Sequence, residues 1–83
     1  MMNKILVTIY IISVDKHYDL LLPINKKVGE LFNSIQDSLV DLSNGNYQKK
    51  ENILLYDTNG LIINPNNYVK YSGLKNGSKI IIV

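Results

Sequence analysis

The chain has 83 residues, 46% of them hydrophobic, with a formal net charge of +2 and no cysteine. That length is one small domain, able to hide only about 60–65% of its unfolded surface, and that hydrophobic content is well above a disordered chain's. The missing cysteine excludes disulfides, thiolate metal sites and cysteine nucleophiles, and the absence of arginine removes the planar fork most used for phosphate and guanine recognition.

Lys4–Ile12 reads as a strand, with Ile5, Val7, Ile9 and Ile11 on one face and Leu6, Thr8, Tyr10 and Ile12 on the other. It contains Thr8 and Tyr10 and leads to no small-residue cleavage site, so it is not read as a signal peptide. Ser13–Lys16 is a polar turn, and His17–Ile24 is a second strand that completes a hairpin. Pro23 lacks an N–H and marks the end or edge of that strand. No apolar run approaches the ~20 residues of a membrane span, so no membrane insertion is expected.

Val28–Leu42 is the only long stretch with a helical period. Val28, Leu31, Phe32, Ile35, Leu39 and Leu42 form the apolar stripe, while Glu30, Asn33, Gln36, Asp37 and Asp41 take the other side. Asn25 is the expected N-cap, and Asn44 or Gly45 suits the left-handed C-terminal position. Tyr47–Asn52 is a polar loop, and Ile53–Asp57 is a third strand. Asn59-Gly60 is a hairpin turn leading to a very short strand, Leu61–Ile63. A 3₁₀ turn is expected within Tyr68–Leu74, and Ser78–Val83 is the last strand.

The order β-β-α-β-β-β, one domain over 1–83, predicts an α+β β-grasp. A mixed sheet of four to five strands packs on one helix, with the first and last strands as parallel neighbours. The pattern resembles ubiquitin-like proteins over nearly the whole chain, through Leu22, Val28, Leu31 and Ile35, then Leu54-Leu55-Tyr56, Gly60, Tyr71, Leu74 and Ser78–Val83. It is similar in particular to the bacterial YukD and EsaB family of type VII secretion. The residues that carry this are K-I-L-V-T-I at the start, Tyr18–Pro23, the helix stripe, and Leu74-Lys75-Asn76-Gly77-Ser78. The resemblance implies a cytoplasmic bacterial accessory or regulatory protein that binds a component of the secretion machine. It also implies a tyrosine at position 71 that braces the loop before the final strand. The sequence ends at Val83 without the Gly-Gly of ubiquitin, which sets the expectation against a carrier or modifier role.

No catalytic residue, cofactor or metal site is expected. His17 between Asp15 and Asp19 could be read as an acid/base pair, but no nucleophile accompanies it and a solvated turn histidine is the preferred reading. Asp37 and Asp41 read as a solvated helix face. The scattered lysines form no basic stripe, so nucleic acid is not an expected partner. A helix covers only one face of such a sheet, so the other face should be polar. Alternation instead places Leu6, Tyr10, Leu55, Ile81 and Val83 there, an apolar patch of the kind that marks a protein-interaction surface. It lies on the face ubiquitin uses for its partners, and a homodimer through the same patch is the other arrangement considered.

Overall fold

A computed structural model describes residues 3–83 of the chain. The first strand, β1 (Lys4–Ile11), turns through a 3₁₀ segment at Ile12–Val14 into β2 (Lys16–Pro23). Asp15 makes that reversal in the left-handed conformation at φ 51°, a region asparagine and aspartate tolerate better than most residues. The helix α1 (Val28–Leu42) follows, then the two-residue strand β3 (Leu55–Tyr56), a 3₁₀ turn at Val69–Tyr71 and β4 (Ser78–Ile82). The four strands lie in the order β2-β1-β4-β3, with β1 and β4 parallel and both outer pairs antiparallel. This is the expected β-grasp topology, with four strands in the sheet.

The expected strand at Leu61–Ile63 is reduced to a single bridge, Tyr56 with Ile62. Local chemistry cuts the hairpin short. The Asp57 carboxylate accepts the N–H groups of Asn59 and Leu61, which holds those residues in a turn. The Asn64 carboxamide does the same for the N–H of Asn66.

The helix buries Val28, Phe32 and Leu39 against Ile5, Val7, Ile9, Ile11, Leu22, Ile80 and Ile82, and Leu31 and Ile35 pack at the margin of that core. Leu42, expected in the stripe, is exposed at the end of the last turn. Gln36, expected on the solvent side, is fully buried. Its Oε1 accepts the Tyr47 hydroxyl at 2.6 Å and the Lys50 N–H at 2.8 Å, and its Nε2 donates to the Lys50 carbonyl at 3.0 Å. The carboxamide thus behaves like a strand backbone and fastens the loop after the helix onto the core. Tyr47 is buried with it, and burial raises the pKa of its phenol.

The helix termini are satisfied differently. Lys27, rather than Asn25, occupies the N-cap, and it makes no side-chain capping bond. The first helical N–H groups go instead to a distant loop, Val28 to the Asn67 carbonyl and Gly29 to the Pro65 carbonyl, each at 2.9 Å. That approach needs glycine, since a Cβ on Gly29 would lie 3.0 Å from Pro65 Cβ and 3.1 Å from its carbonyl oxygen. At the other end, the N–H of Gly45 donates to Val40 and that of Asn44 to Asp41. With Asn44 at φ 54°, this is a Schellman ending of the kind expected from the sequence. Tyr71 does not brace the loop before β4. Its side chain is 72% exposed, edge-on to Tyr68 and beneath the Lys70 ammonium.

Candidate functional site: the open face of the sheet

With α1 on one face, the other face of the sheet is uncovered, and the register assigns each side chain to one or the other. Val7, Ile9 and Ile11 pair with Leu20, Tyr18 and Lys16 on one side and with Ser78, Ile80 and Ile82 on the other, toward the helix. Leu6, Thr8 and Tyr10 therefore face outward, as expected. So do Ile81, the Cα partner of Tyr10, and Val83, which continues the alternation of β4 and is 47% exposed.

Leu55 is not on this face. It pairs with Ile82, points into the core and is 2% exposed. The expected alternation along β3 is one residue out of phase, and a one-residue shift moves every side chain of a strand to the opposite face. Its place outside is taken by Tyr56, the partner of Ile81, and by Leu54, whose carbonyl accepts the Val83 N–H and whose side chain is 46% exposed.

The corrected register produces rows across the face. His17, Tyr10, Ile81, Tyr56 and Ile62 form one continuous row, each paired with the next. Leu54 and Val83 lie one step beyond it. Asp19, Thr8 and Lys79 form a polar row below. Leu21 and Leu6 make a separate apolar pair at the corner nearest Pro23. Of the five residues expected to cluster, the structure thus brings Tyr10, Ile81 and Val83 together, sets Leu6 apart across the polar row, and removes Leu55. Leu54, Tyr56 and Ile62 were missed.

The polar groups here are tied locally. The Tyr10 hydroxyl donates to Asp15 at 2.9 Å, and this bond to a carboxylate, with some desolvation, raises the Tyr10 pKa. The Tyr10 ring stacks on His17 with centroids 4.3 Å apart. Thr8 donates to Asp19 across the hairpin at 2.8 Å. The carboxylates either side of His17 thus take hydroxyl donors from Tyr10 and Thr8, and His17 lies within β2 rather than in the turn. Asn76 anchors the lower end of the face, its Oδ1 accepting the Leu6 N–H while Gly77 donates to the Leu6 carbonyl. Asp37 on the helix pairs with Lys49 at 3.0 Å. Among the described residues no group of three or more His, Cys, Asp or Glu could hold a metal, and no helix is long and apolar enough to cross a membrane.

No protein-family model matches the sequence, and no curated protein does. Solved structures do. The ubiquitin-like domain of the Mycobacterium tuberculosis type VII secretion system protein ECCD1 superposes with a TM-score of 0.76 at 15% identity, over 99% of each chain. A chain of the MycP5-free ESX-5 inner membrane complex gives 0.72 at 14% identity, covering 99% of this chain and 21% of that one. A structure described as "Molecular Mimicry of SUMO promotes DNA repair" gives 0.74 at 18% identity, over 100% of this chain and 94% of the other. At these identities the likeness shows the fold, a ubiquitin-like β-grasp with one helix on a mixed four-stranded sheet.

Proposed function

We propose that this chain is a non-enzymatic ubiquitin-like interaction module that docks a protein partner through the open face of its sheet. The observation that carries the reading is the row from Tyr10 through Ile81 and Tyr56 to Ile62, continued by Leu54 and Val83, on the face away from the helix. Tyr10, Ile81 and Tyr56 are half-buried there and Ile62, Leu54 and Val83 are exposed, and contiguous apolar surface of this kind usually marks an interaction site. Leu6 belongs to the same face but to its far corner.

The partner assignment rests on different support. The ECCD1 domain is that of a type VII secretion system protein, the ESX-5 chain belongs to an inner membrane complex, and the sequence resembles the YukD and EsaB family. We infer an accessory or regulatory role beside a bacterial type VII secretion complex, on its cytoplasmic side.

The test is capture of the type VII membrane complex from detergent extracts of the host by tagged protein, with Ile81→Lys as the variant. A buried lysine on the docking row should weaken capture by about 1–3 kcal/mol, roughly five- to two-hundredfold. Ile81 is half-buried outside the core, so unfolding stability should fall by about 1 kcal/mol while the protein stays folded at the capture temperature. Capture unchanged in the variant would overturn the reading. Light scattering on the free protein separates a homodimer joined through the same row, since Ile81→Lys would then convert a dimer to a monomer.

A further inference from the structure

The two edges of the sheet are unlike. The β3 edge is two residues long, and Tyr56 already bridges to Ile62 there. The β2 edge is eight residues long, and among the described residues nothing pairs with its outer side. The register shows which groups this edge presents. Ile24 donates its N–H to the Asn3 carbonyl, and Gly77 donates to the Leu6 carbonyl. Even-numbered residues of β1 thus turn their main-chain groups toward β4, and odd-numbered ones toward β2. Antiparallel alternation then leaves the N–H and C=O of His17, Asp19 and Leu21 pointing outward, together with the Pro23 carbonyl. A long edge of this kind is a template for another strand.

The side chains on this edge select among the ways a second copy could pair with it. Two-fold antiparallel pairing sets outward-pointing residues opposite one another. Pro23 has no N–H, so any register that brings it into the ladder loses bonds against its ring. Centring the pairing on Asp19 puts two carboxylates directly opposite each other, which is destabilising. Centring it on His17 overlaps only the first residues of the strands, because β2 begins at Lys16. Centring it on Tyr18 avoids all three faults. His17 of each copy then faces Asp19 of the other, and each such pair exchanges both main-chain bonds. Both side chains are exposed on the open face. Thr8 occupies Oδ1 of Asp19, which leaves Oδ2 for the imidazole, and stacking on Tyr10 holds the His17 ring. Lys16 falls opposite Leu20 and Asp15 opposite Leu21, so no like charges meet.

We propose that two copies of this chain pair through β2, antiparallel and centred on Tyr18, joining their four-stranded sheets into one. The row from Tyr10 through Ile81 and Tyr56 to Ile62 stays uncovered in each copy. The two-fold axis stands perpendicular to the sheet, so both rows lie on the same side of it. The dimer uses no residue between Ile81 and Ile62, and it stands independently of the docking reading.

Sedimentation velocity and ¹⁵N amide shifts of the full chain, from micromolar to millimolar protein, test this. Association is expected to rise with concentration, with shifts centred on Lys16–Leu20. His17→Asp should weaken it by about tenfold, because like charges then oppose at both pairs. Adding Asp19→Lys to His17→Asp should restore association to within about threefold of wild type. Ile81→Lys should leave it unchanged. The amide spectrum outside β2 should stay that of wild type in the position 17 and 19 variants, both side chains being exposed. A chain that remains monomeric at millimolar concentration would overturn the proposal. Dimerisation lost in Ile81→Lys would overturn it too, since the contact would then be the docking row. So would a double variant that associates no more tightly than His17→Asp alone.

Discussion

The two faces of this sheet are built from the same residue types and used in opposite ways. On the helix side, Val7, Ile9, Ile11, Ile80, Ile82 and Leu55 are closed over by Val28, Phe32 and Leu39. On the other side, Tyr10, Ile81, Tyr56 and Ile62 lie on the uncovered face, with Leu54 and Val83 beside them. Composition alone does not distinguish Ile81 from Ile82. The pleat does, and it makes one residue structural and the next available for binding.

The contrast breaks most sharply at β3, where adjacent leucines take opposite roles. Leu55→Ala should destabilise the fold by about 2–5 kcal/mol, measured by denaturant unfolding, because it opens a cavity beside Ile82. Leu54→Ala should cost no more than about 0.5 kcal/mol. Equal costs would mean that the register assigned to β3 is wrong.

The next effect concerns the loop that delivers β3 to the sheet. Gln36→Leu keeps the volume but strips the Tyr47 hydroxyl and the Lys50 N–H and carbonyl of their partner. Buried polar groups left unpaired cost about 1–3 kcal/mol each, and water can reach part of this loop, so a loss of about 2–3 kcal/mol is expected. Hydrogen exchange at Tyr47–Lys50 should accelerate more than exchange in β1. Uniform acceleration would show that Gln36 supports the whole core rather than this loop.

A smaller effect is expected at alkaline pH. Burial puts the folded-state pKa of Tyr47 above its unfolded value, so folding favours the protonated phenol. That stabilisation is intact below the unfolded pKa of about 10 and is lost as pH rises through the higher folded value. Tyr10 shifts in the same direction through its bond to Asp15. Tyr47→Phe should flatten part of the alkaline fall in stability while costing about 1 kcal/mol at neutral pH. An unchanged alkaline profile would contradict the burial of that hydroxyl.

Much of this was legible in the chain, and the failures have identifiable causes. The helix was clear because its apolar period is long. β1 was clear because the phase of K-I-L-V-T-I-Y-I is pinned by the polar Thr8 and Tyr10, and the start of β4 because the turn Lys75-Asn76-Gly77 precedes it. The phase of β3 was not, since Ile53-Leu54-Leu55 is uniformly apolar and gives no alternation to read. Pairing with β4 decided it. Gln36 was assigned by residue type, yet its position was informative: 28, 32, 36 and 39 follow one buried face, and a polar side chain there needs a partner such as Tyr47. Ile62 was missed because a single bridge at the end of a tight turn has no sequence period. The helix bounds were read correctly, but its N-cap was not: Asn25 was expected to cap it, whereas the first N–H groups are satisfied by Pro65 and Asn67, far away in sequence.

Site-specific photo-crosslinking in cells containing the type VII apparatus tests the central claim, that the uncovered face is the working one. A photoreactive phenylalanine analogue is placed at Tyr56 on the open face and, separately, at Glu30 on the outer side of the helix. The account predicts crosslinks to a secretion-complex component from position 56 and none from position 30. Crosslinks from position 30 alone would place function on the helix side and contradict it.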